Sequence, residues 1–286
     1  MKNFLKKPQR GLRSSRHQGF TLVELAVVLA VIGLIIGAVA IGKDVQRNAE
    51  YTKIKNKFID QWEQAYNQYY QRTGVVLADR QTAPQNMVNG DAFVGAALPG
   101  AVRSGRNMTG ATAPAAICRG AAGQGMARAF DAAADRDLRV LMTRAGIRMP
   151  PGRAEGLEDR YVYLDSNGNP QEIQVCFQWN VPMANGAADG DVGEGSGNVM
   201  VITGLTPDLA RSLDQMIDGK PDEREGRFRR QGVLNNAGGT TPNAPGTQWN
   251  RTNRDQIGVV VGAGGNDRSF DEDQVEIVTA IYKMNQ

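Results

Sequence analysis

A long apolar run near the N-terminus, "HQGFTLVELAVVLAVIGLIIGAVAIG" at residues 17 to 42, constrains the fold more than any other segment. Residues 20 to 42 contain no Lys, Arg or Asp, and their single acid is Glu24. A helix over this run is about 33 Å long, enough to cross a hydrocarbon core of about 30 Å. Because a secretory signal has a shorter apolar core, the sequence predicts a retained membrane helix.

The charges before this run predict its orientation. The first 19 residues contain no acid and six basic side chains, namely Lys2, Lys6, Lys7, Arg10, Arg13 and Arg16. Basic residues next to a membrane helix favour the cytoplasmic side. We therefore expect the N-terminus inside the cell and the rest of the chain beyond the membrane.

Glu24 needs its own explanation, because an acid within a membrane helix costs about 2.5–3.5 kcal/mol on insertion scales. One explanation places Glu24 near the membrane surface, where its carboxylate reaches the headgroups. The other is suggested by "GFTLVEL", which follows a basic leader and opens the apolar run. This combination resembles the type IV prepilin signature, found in type IV pilins and in the pseudopilins of type II secretion systems.

The resemblance assigns roles to three residues. It implies that a prepilin peptidase cuts between Gly19 and Phe20 and that the new Phe20 amine is methylated. It also implies an assembly role for Glu24, whose carboxylate would pair with the terminal ammonium of a neighbouring subunit. The two charges would then offset each other's desolvation only after assembly.

The resemblance also implies a function, partners and a location. The chain would be a structural subunit, major or minor, of a type IV pilus or a type II secretion pseudopilus. Its partners would be other pilin or pseudopilin subunits, the prepilin peptidase, the inner-membrane assembly platform and the lipid bilayer. It would cross the bacterial inner membrane once before it enters a filament. The alternative is a membrane-anchored adhesive or binding protein that uses the prepilin export route without being a filament subunit.

The helical pattern continues beyond the apolar run. Large apolar residues recur at spacings of three and four, at Ile54, Phe58, Trp62 and Tyr69, until Gly74 signals the end of the helix. We predict one helix from Phe20 to Thr73, whose second half packs on a globular domain. Many family members have a proline near position 41, where this chain has Ile41, with Gly33, Gly37 and Gly42 nearby.

The pattern of strands and helices in the rest of the chain predicts an α+β, type IV pilin-like fold, in which the long helix packs on an antiparallel sheet. A hairpin is expected over 161–179, further strands at 198–205, 257–263 and 275–282, and helices over 126–146 and 206–219. The predicted organisation is a leader at 1–19, an apolar helix at 20–42, its amphipathic continuation at 43–73, and an extracytoplasmic domain at 74–286.

Cys118 and Cys176 are the only cysteines and lie 58 positions apart. An extracytoplasmic compartment is oxidising, so the sequence favours a disulfide between them. Such a bridge would stabilise the fold by about 3–4 kcal/mol through loop closure. The alternative is that Cys176 is a small buried apolar residue of the sheet.

Two acidic turns are candidate calcium sites. Asp165, Asn167 and Asn169 alternate as oxygen ligands do in calcium loops, although an Asn-Gly hairpin turn explains the same residues without a metal. Asp218 and Asp222 lie in a second acidic segment. Basic residues within it reduce its negative charge, and we expect it to be a solvated turn. No other cofactor is predicted.

Enzymatic activity and nucleic-acid binding are not expected. The one histidine, His17, lies in the leader, and the chain contains no G-x-S-x-G, GK[ST] or C-x-x-C motif. Six of the 33 basic residues lie in the leader, which leaves 27 against 30 acids after cleavage. The mature chain would thus be net negative, and the basic cluster "RFRR" at 227–230 is expected to be a solvated edge.

Overall fold

The computed structural model describes residues 21–93, 113–123, 126, 128–165, 167–180, 197–231, 249 and 277–284. The chain forms two compact units, Met1–Arg47 and Asn48–Gln286. The predicted leader and the predicted strand at 257–263 lie outside the described residues. The predicted domain bounds therefore remain predictions.

One long helical stretch begins at Leu22 and ends at Thr73, in agreement with the predicted helix. It comprises helix α1 (Leu22–Ile54), one π-helical turn (Lys55–Ile59) and helix α2 (Asp60–Thr73). Gly74 ends it in the left-handed conformation, with φ of 74°, and its N–H donates to the Tyr70 carbonyl. The predicted C-terminal signal is confirmed.

The globular unit contains one five-stranded antiparallel sheet, which confirms the α+β prediction. Its strands are β1 (Arg160–Leu164), β2 (Pro170–Asn180), β3 (Gly197–Leu205), β4 (Phe228–Arg230) and β5 (Val278–Lys283). Their order in the sheet is β1-β2-β3-β5-β4. Two further helices are α3 (Leu138–Arg144) and α4 (Pro207–Asp218). Thr206 caps α4 and Pro207 occupies its first turn, as the sequence predicts.

The core of the globular unit forms where α2 and the preceding π turn meet the sheet. Phe177 of β2 stacks on Tyr66, with 5.2 Å between ring centroids, and lies 6.2 Å from the ring of Trp62. Phe58 contacts Tyr161 of β1 with a centroid distance of 5.4 Å. Each large aromatic side chain buries about 150–250 Å² on folding, so these contacts dominate the core.

The π turn departs from the regular helix that the apolar spacing predicts. Two consecutive residues, Phe58 and Ile59, are completely buried, which one face of a regular α-helix does not favour. The Asp60 N–H donates to the Lys55 carbonyl, five residues back, and the Lys55 ammonium lies 2.8 Å from the Asp60 carboxylate. The wider turn thus brings an extra apolar residue into the core and aligns this ion pair.

The predicted helix over 126–146 is wrong in its first half. Only α3 and a 3-10 turn at Ala134–Arg136 are helical there. The chain before them pairs with Ala116, whose N–H donates to Ala129 and whose carbonyl accepts from Asp131. Because that pairing uses backbone groups that a helix would need, the helix begins only after Asp137, which caps it.

A buried tyrosine joins the hairpin to the corner between β3 and α4. The Tyr163 hydroxyl donates to the Gly204 carbonyl at 3.0 Å and accepts from the Thr206 N–H at 2.9 Å. Gly204 has a φ of 82°, and a Cβ there would lie 1.9 Å from the Glu172 carbonyl oxygen. The corner therefore requires glycine at 204 and a hydroxyl at 163.

Tyr163→Phe should destabilise the protein by about 1–3 kcal/mol, because it leaves a buried N–H and a buried carbonyl without their partner. Tyr161→Phe on the same strand is the matched control, since that residue is only half-buried and no hydrogen bond of its hydroxyl supports the corner. Urea unfolding of the full-length protein in detergent micelles measures both. Equal stability of the two variants would contradict this role for the corner.

Candidate functional site: the N-terminal helix and its motif

The first turn of α1 is closed by reciprocal hydrogen bonds between Thr21 and Glu24. The Thr21 N–H and hydroxyl donate to Glu24 Oε2 at 2.8 and 3.0 Å, and the Glu24 N–H donates to the Thr21 hydroxyl at 3.2 Å. This arrangement is a capping box, in which two orphan N–H groups of the helix start are satisfied at once. Glu24 thus has a partner within its own chain.

The capping role of Glu24 is not among the roles predicted for this residue from the sequence. The signal is present as T-x-x-E at residues 21 to 24, directly before an apolar run. Gly19 and Phe20, the two residues that flank the predicted cleavage site, lie outside the described residues. Their roles, and the assembly role of Glu24, therefore remain predictions.

The apolar side chains of α1 are exposed from its start to Val45. Leu22 is 87% exposed, Leu34 75% and Ile41 68%. Among the described residues, Leu22–Thr73 is the one helical stretch long and apolar enough to cross a membrane. A contiguous apolar surface of this size marks a membrane or protein interface.

The helix is continuous where many pilins have a proline. Ile41 and Gly42 both lie within α1, as do Gly33 and Gly37. A Cβ added at any of these three glycines meets no atom within 4 Å. Glycine lowers helix propensity by about 1 kcal/mol relative to alanine in water. The chain therefore keeps a regular helix here while its local helix propensity is low.

Comparison with protein families supports the reading of this segment. Residues 14–40 match the family described as the prokaryotic N-terminal methylation motif. The matched range contains Gly19, Phe20 and Glu24. Searches of curated proteins and of solved structures found no significant match.

The chain therefore carries a prepilin-type N-terminus on an α+β globular unit. The match supports the resemblance of this N-terminus to those of type IV pilins and pseudopilins. Such a motif is typical of structural proteins rather than enzymes. Together with the exposed apolar helix, it is consistent with anchoring in a membrane.

The two cysteines lie together on the face of the sheet opposite the long helix. Cys118 and Cys176 form a disulfide with 4.6 Å between their Cα atoms. Both side chains are buried, beside Ala116, Val199 and Val201. The bridge ties the irregular segment before α3 to β2, which is the connection that the sequence predicts for it.

The hairpin candidate for calcium is organised by hydrogen bonds of Asp165. Its Oδ1 accepts from the N–H groups of Asn167 and Asn169 at 2.9 and 2.8 Å, and its Oδ2 accepts from the Gln171 amide at 3.0 Å. This carboxylate therefore acts as the turn former between β1 and β2. Calcium binding here stays a prediction.

The second acidic segment forms a turn, but two of its acids are buried, so the prediction that it is solvated is wrong for these two residues. Asp222 and Glu223 are 4% and 6% exposed. The Asp222 Oδ1 accepts from the Arg224 N–H, Glu223 pairs with Arg230 at 3.1 Å, and the Asp218 carboxylate accepts from the Phe228 N–H at 2.8 Å. These carboxylates bind protein groups that sequence patterns do not reveal. Among the described residues, no group of three or more His, Cys, Asp or Glu is arranged to hold a metal.

The basic cluster at 227–230 lies at the edge of the sheet, as predicted, but it is not fully solvated. It contains β4, and Phe228 and Arg229 are buried. Arg227 lies 4.9 Å above the Tyr282 ring and 3.1 Å from the carboxylate of Glu63 on α2. Arg227 thus joins α2 to the sheet. The sequence missed β4 because three residues are too few to show an alternating pattern.

Asp214 is the most unusual titratable group of the globular unit. Its Oδ2 accepts from the Trp249 indole and from the Asp222 N–H, both at 2.6 Å, while its Oδ1 has no hydrogen-bond partner. Its pKa is raised to about 7, mainly by burial and also by the nearby Asp218 charge, against the lowering effect of these two hydrogen bonds. The carboxyl group therefore holds a proton to a much higher pH when the protein is folded.

Asp214→Asn should make the protein more stable above neutral pH. A folded pKa of about 7 against 3.8 unfolded means that the wild type loses stability as pH rises from about 4 to 7. The loss is on the order of 2–4 kcal/mol. The amide keeps an oxygen for both donors and carries no charge, so the variant should lack this dependence.

Thermal unfolding of the full-length protein between pH 4 and pH 8 measures this difference. Asp135→Asn is the matched control, because Asp135 is exposed and its substitution should leave the wild-type pH profile unchanged. A parallel pH profile for wild type and Asp214→Asn would show that the buried carboxyl is not the group responsible.

Proposed function

We propose that the chain is a structural subunit, major or minor, of a type IV pilus or a type II secretion pseudopilus. The methylation motif at residues 14–40 carries this proposal. Support also comes from α1, whose apolar side chains are exposed along the whole run and would be covered by neighbouring α1 helices in a filament. The leader would be removed at the inner membrane, and Phe20 would be methylated.

The geometry of Glu24 suggests that its carboxylate can bind partners both in the single chain and in a filament. In the single chain, the Thr21 N–H and hydroxyl both bind Oε2. A carboxylate accepts about four hydrogen bonds, so Oε1 remains available to a further donor. In a filament that donor would be the ammonium of a neighbouring Phe20. The capping box would thus hold the carboxylate in place for the partner that cleavage creates.

A membrane-anchored adhesive or binding protein is the second candidate. The large size of the globular unit, which extends from Asn48 to Gln286, favours it. Shear fractionation separates the two functions. A filament subunit is recovered in the sheared material, whereas a monomeric anchor stays with the membranes.

Glu24→Ala should leave membrane insertion and cleavage intact and reduce filament assembly by at least about tenfold, because one unpaired ammonium would be buried for each subunit. Glu24→Gln keeps a capping oxygen without the charge and should also fail to assemble. Asp44→Ala is the matched control, since Asp44 is an exposed acid on the same helix beyond the apolar run.

Filaments are counted by electron microscopy, and mass spectrometry of the N-terminal peptide checks that each variant begins at a methylated Phe20. Wild-type filament numbers from Glu24→Ala would overturn the proposed pairing. If Glu24→Gln assembles and Glu24→Ala does not, the capping box rather than the charge is what assembly requires.

A further inference from the structure

A cleft of about 600 Å³ lies within the globular unit, between α2 and the loop of residues 148–158. Small-ligand sites have volumes of roughly 300–1,000 Å³. The cleft is therefore large enough for a specific ligand. Neither the methylation motif nor the proposed assembly of α1 gives it a role.

One wall of the cleft is a row of glutamines on α2. Gln61, Gln64 and Gln68 recur at spacings of three and four, which places them on one face of the helix. All three are exposed, and their side-chain amides form no hydrogen bond with another described residue. The buried Ala65 beneath them fixes this face to the core. The cleft thus presents three amides, each with donors and an acceptor, on a rigid support.

The opposite wall is apolar and stiff. It contains Met149, Pro150 and Pro151. Proline has a fixed φ and no N–H, so this wall keeps its shape and offers no backbone donor at the two prolines. A ligand in the cleft would make its hydrogen bonds mainly with the glutamine row.

Contacts at both ends fix the direction of the loop relative to α2. The Arg72 guanidinium, at the end of α2, donates to the carbonyls of Ala145 and Gly146 at 2.9 and 2.6 Å. After the loop, Tyr161 contacts Phe58, which precedes α2. The loop therefore runs antiparallel to α2, from the Arg72 end towards the start of the helix.

This direction gives the cleft opposite charges at its two ends. Arg148 lines it near the end of α2, while Glu155 and Glu158 line it towards the start. Arg148 and Glu155 are exposed, and neither forms an ion pair with another described residue. The Glu158 carboxylate accepts from the Gly156 N–H at 2.9 Å.

We propose that this cleft binds a short extended peptide, with its carboxylate end at Arg148 and its cationic end at Glu155 and Glu158. An extended main chain alternates N–H and carbonyl groups, which the glutamine amides can meet in turn. The glutamine row from Gln61 to Gln68 is about 10 Å long, which corresponds to about three extended residues between the two charged ends of the peptide.

The lining chemistry favours a peptide over single-stranded nucleic acid. Proteins that bind single strands stack the bases on aromatic side chains. The described residues that line this cleft include no aromatic side chain. The cleft has an arginine at one end and two glutamates at the other. The glutamates would repel a uniformly anionic chain such as a nucleic acid strand.

Two synthetic pentapeptides of identical composition test the proposal by isothermal titration of the full-length protein in detergent micelles. Lys-Ala-Ala-Ala-Glu carries its positive charges at the N-terminal end and its negative charges at the C-terminal end. In Glu-Ala-Ala-Ala-Lys the terminal charges and the side-chain charges cancel at each end. The first peptide should bind at least about tenfold more tightly, and the difference should shrink as salt is added.

Arg148→Gln and Glu155→Gln should each weaken binding of the first peptide by about fivefold to tenfold and leave the second unchanged. Lys57→Gln is the matched control, because Lys57 is an exposed cation of the π turn that does not line the cleft. It should change neither affinity. Since the substituted residues are exposed, the thermal unfolding temperature should match the wild type in each variant.

Three outcomes would overturn the proposal. The first is equal affinity, or no binding, for the two pentapeptides. The second is wild-type affinity of Arg148→Gln for the first peptide. The third is binding of an acidic oligosaccharide, tetragalacturonate, in the absence of peptide binding, which would assign the cleft to glycans. None of these outcomes depends on filament assembly, so the test stands apart from the proposed function.

Discussion

Burial of one face of the helical segment from Tyr51 to Tyr69 against the sheet is the interaction on which the globular unit depends. Phe58, Trp62 and Tyr66 supply the large rings of the helix, and Phe177 receives two of them from the centre of β2. Burial of these aromatic side chains is the largest apolar contribution to the stability of this core. The π turn, the Arg227–Glu63 contact and the Tyr163 corner all hold helix and sheet in the register that this burial needs.

The N-terminal unit differs from the globular unit in how its apolar side chains are placed. Its apolar side chains are exposed in the single chain, so the hydrophobic effect that folds the globular unit has no counterpart within α1. Lipid or other subunits must supply it. Thr21 and Glu24 meet the local requirement at the helix start, where N–H groups would otherwise lack partners. In the proposed filament, the same carboxylate would also pair with a group outside the chain.

The sequence predicted strongly periodic or strongly punctuated elements well. The long helix with its Gly74 end, the hairpin around Asp165 and the Thr206–Pro207 start of α4 all carry local signals that specify their structure. Predictions failed where long-range contacts decide the outcome. Residues 129–131 looked helical but pair with Ala116. The charged residues at 222–230 looked solvated, but Glu223 is buried and pairs with the half-buried Arg230.

By itself, the sequence determined the processing motif, the membrane-length apolar helix and the α+β class, because each depends on residues that are close together along the chain. Only the tertiary structure decided the π turn, the strand β4, the raised pKa of Asp214 and the oppositely charged ends of the cleft. These depend on residues that are distant in sequence, such as Asp214 and Trp249, or Arg72 and Gly146, which only folding brings together. Their geometry and burial, rather than their identity, set their chemistry.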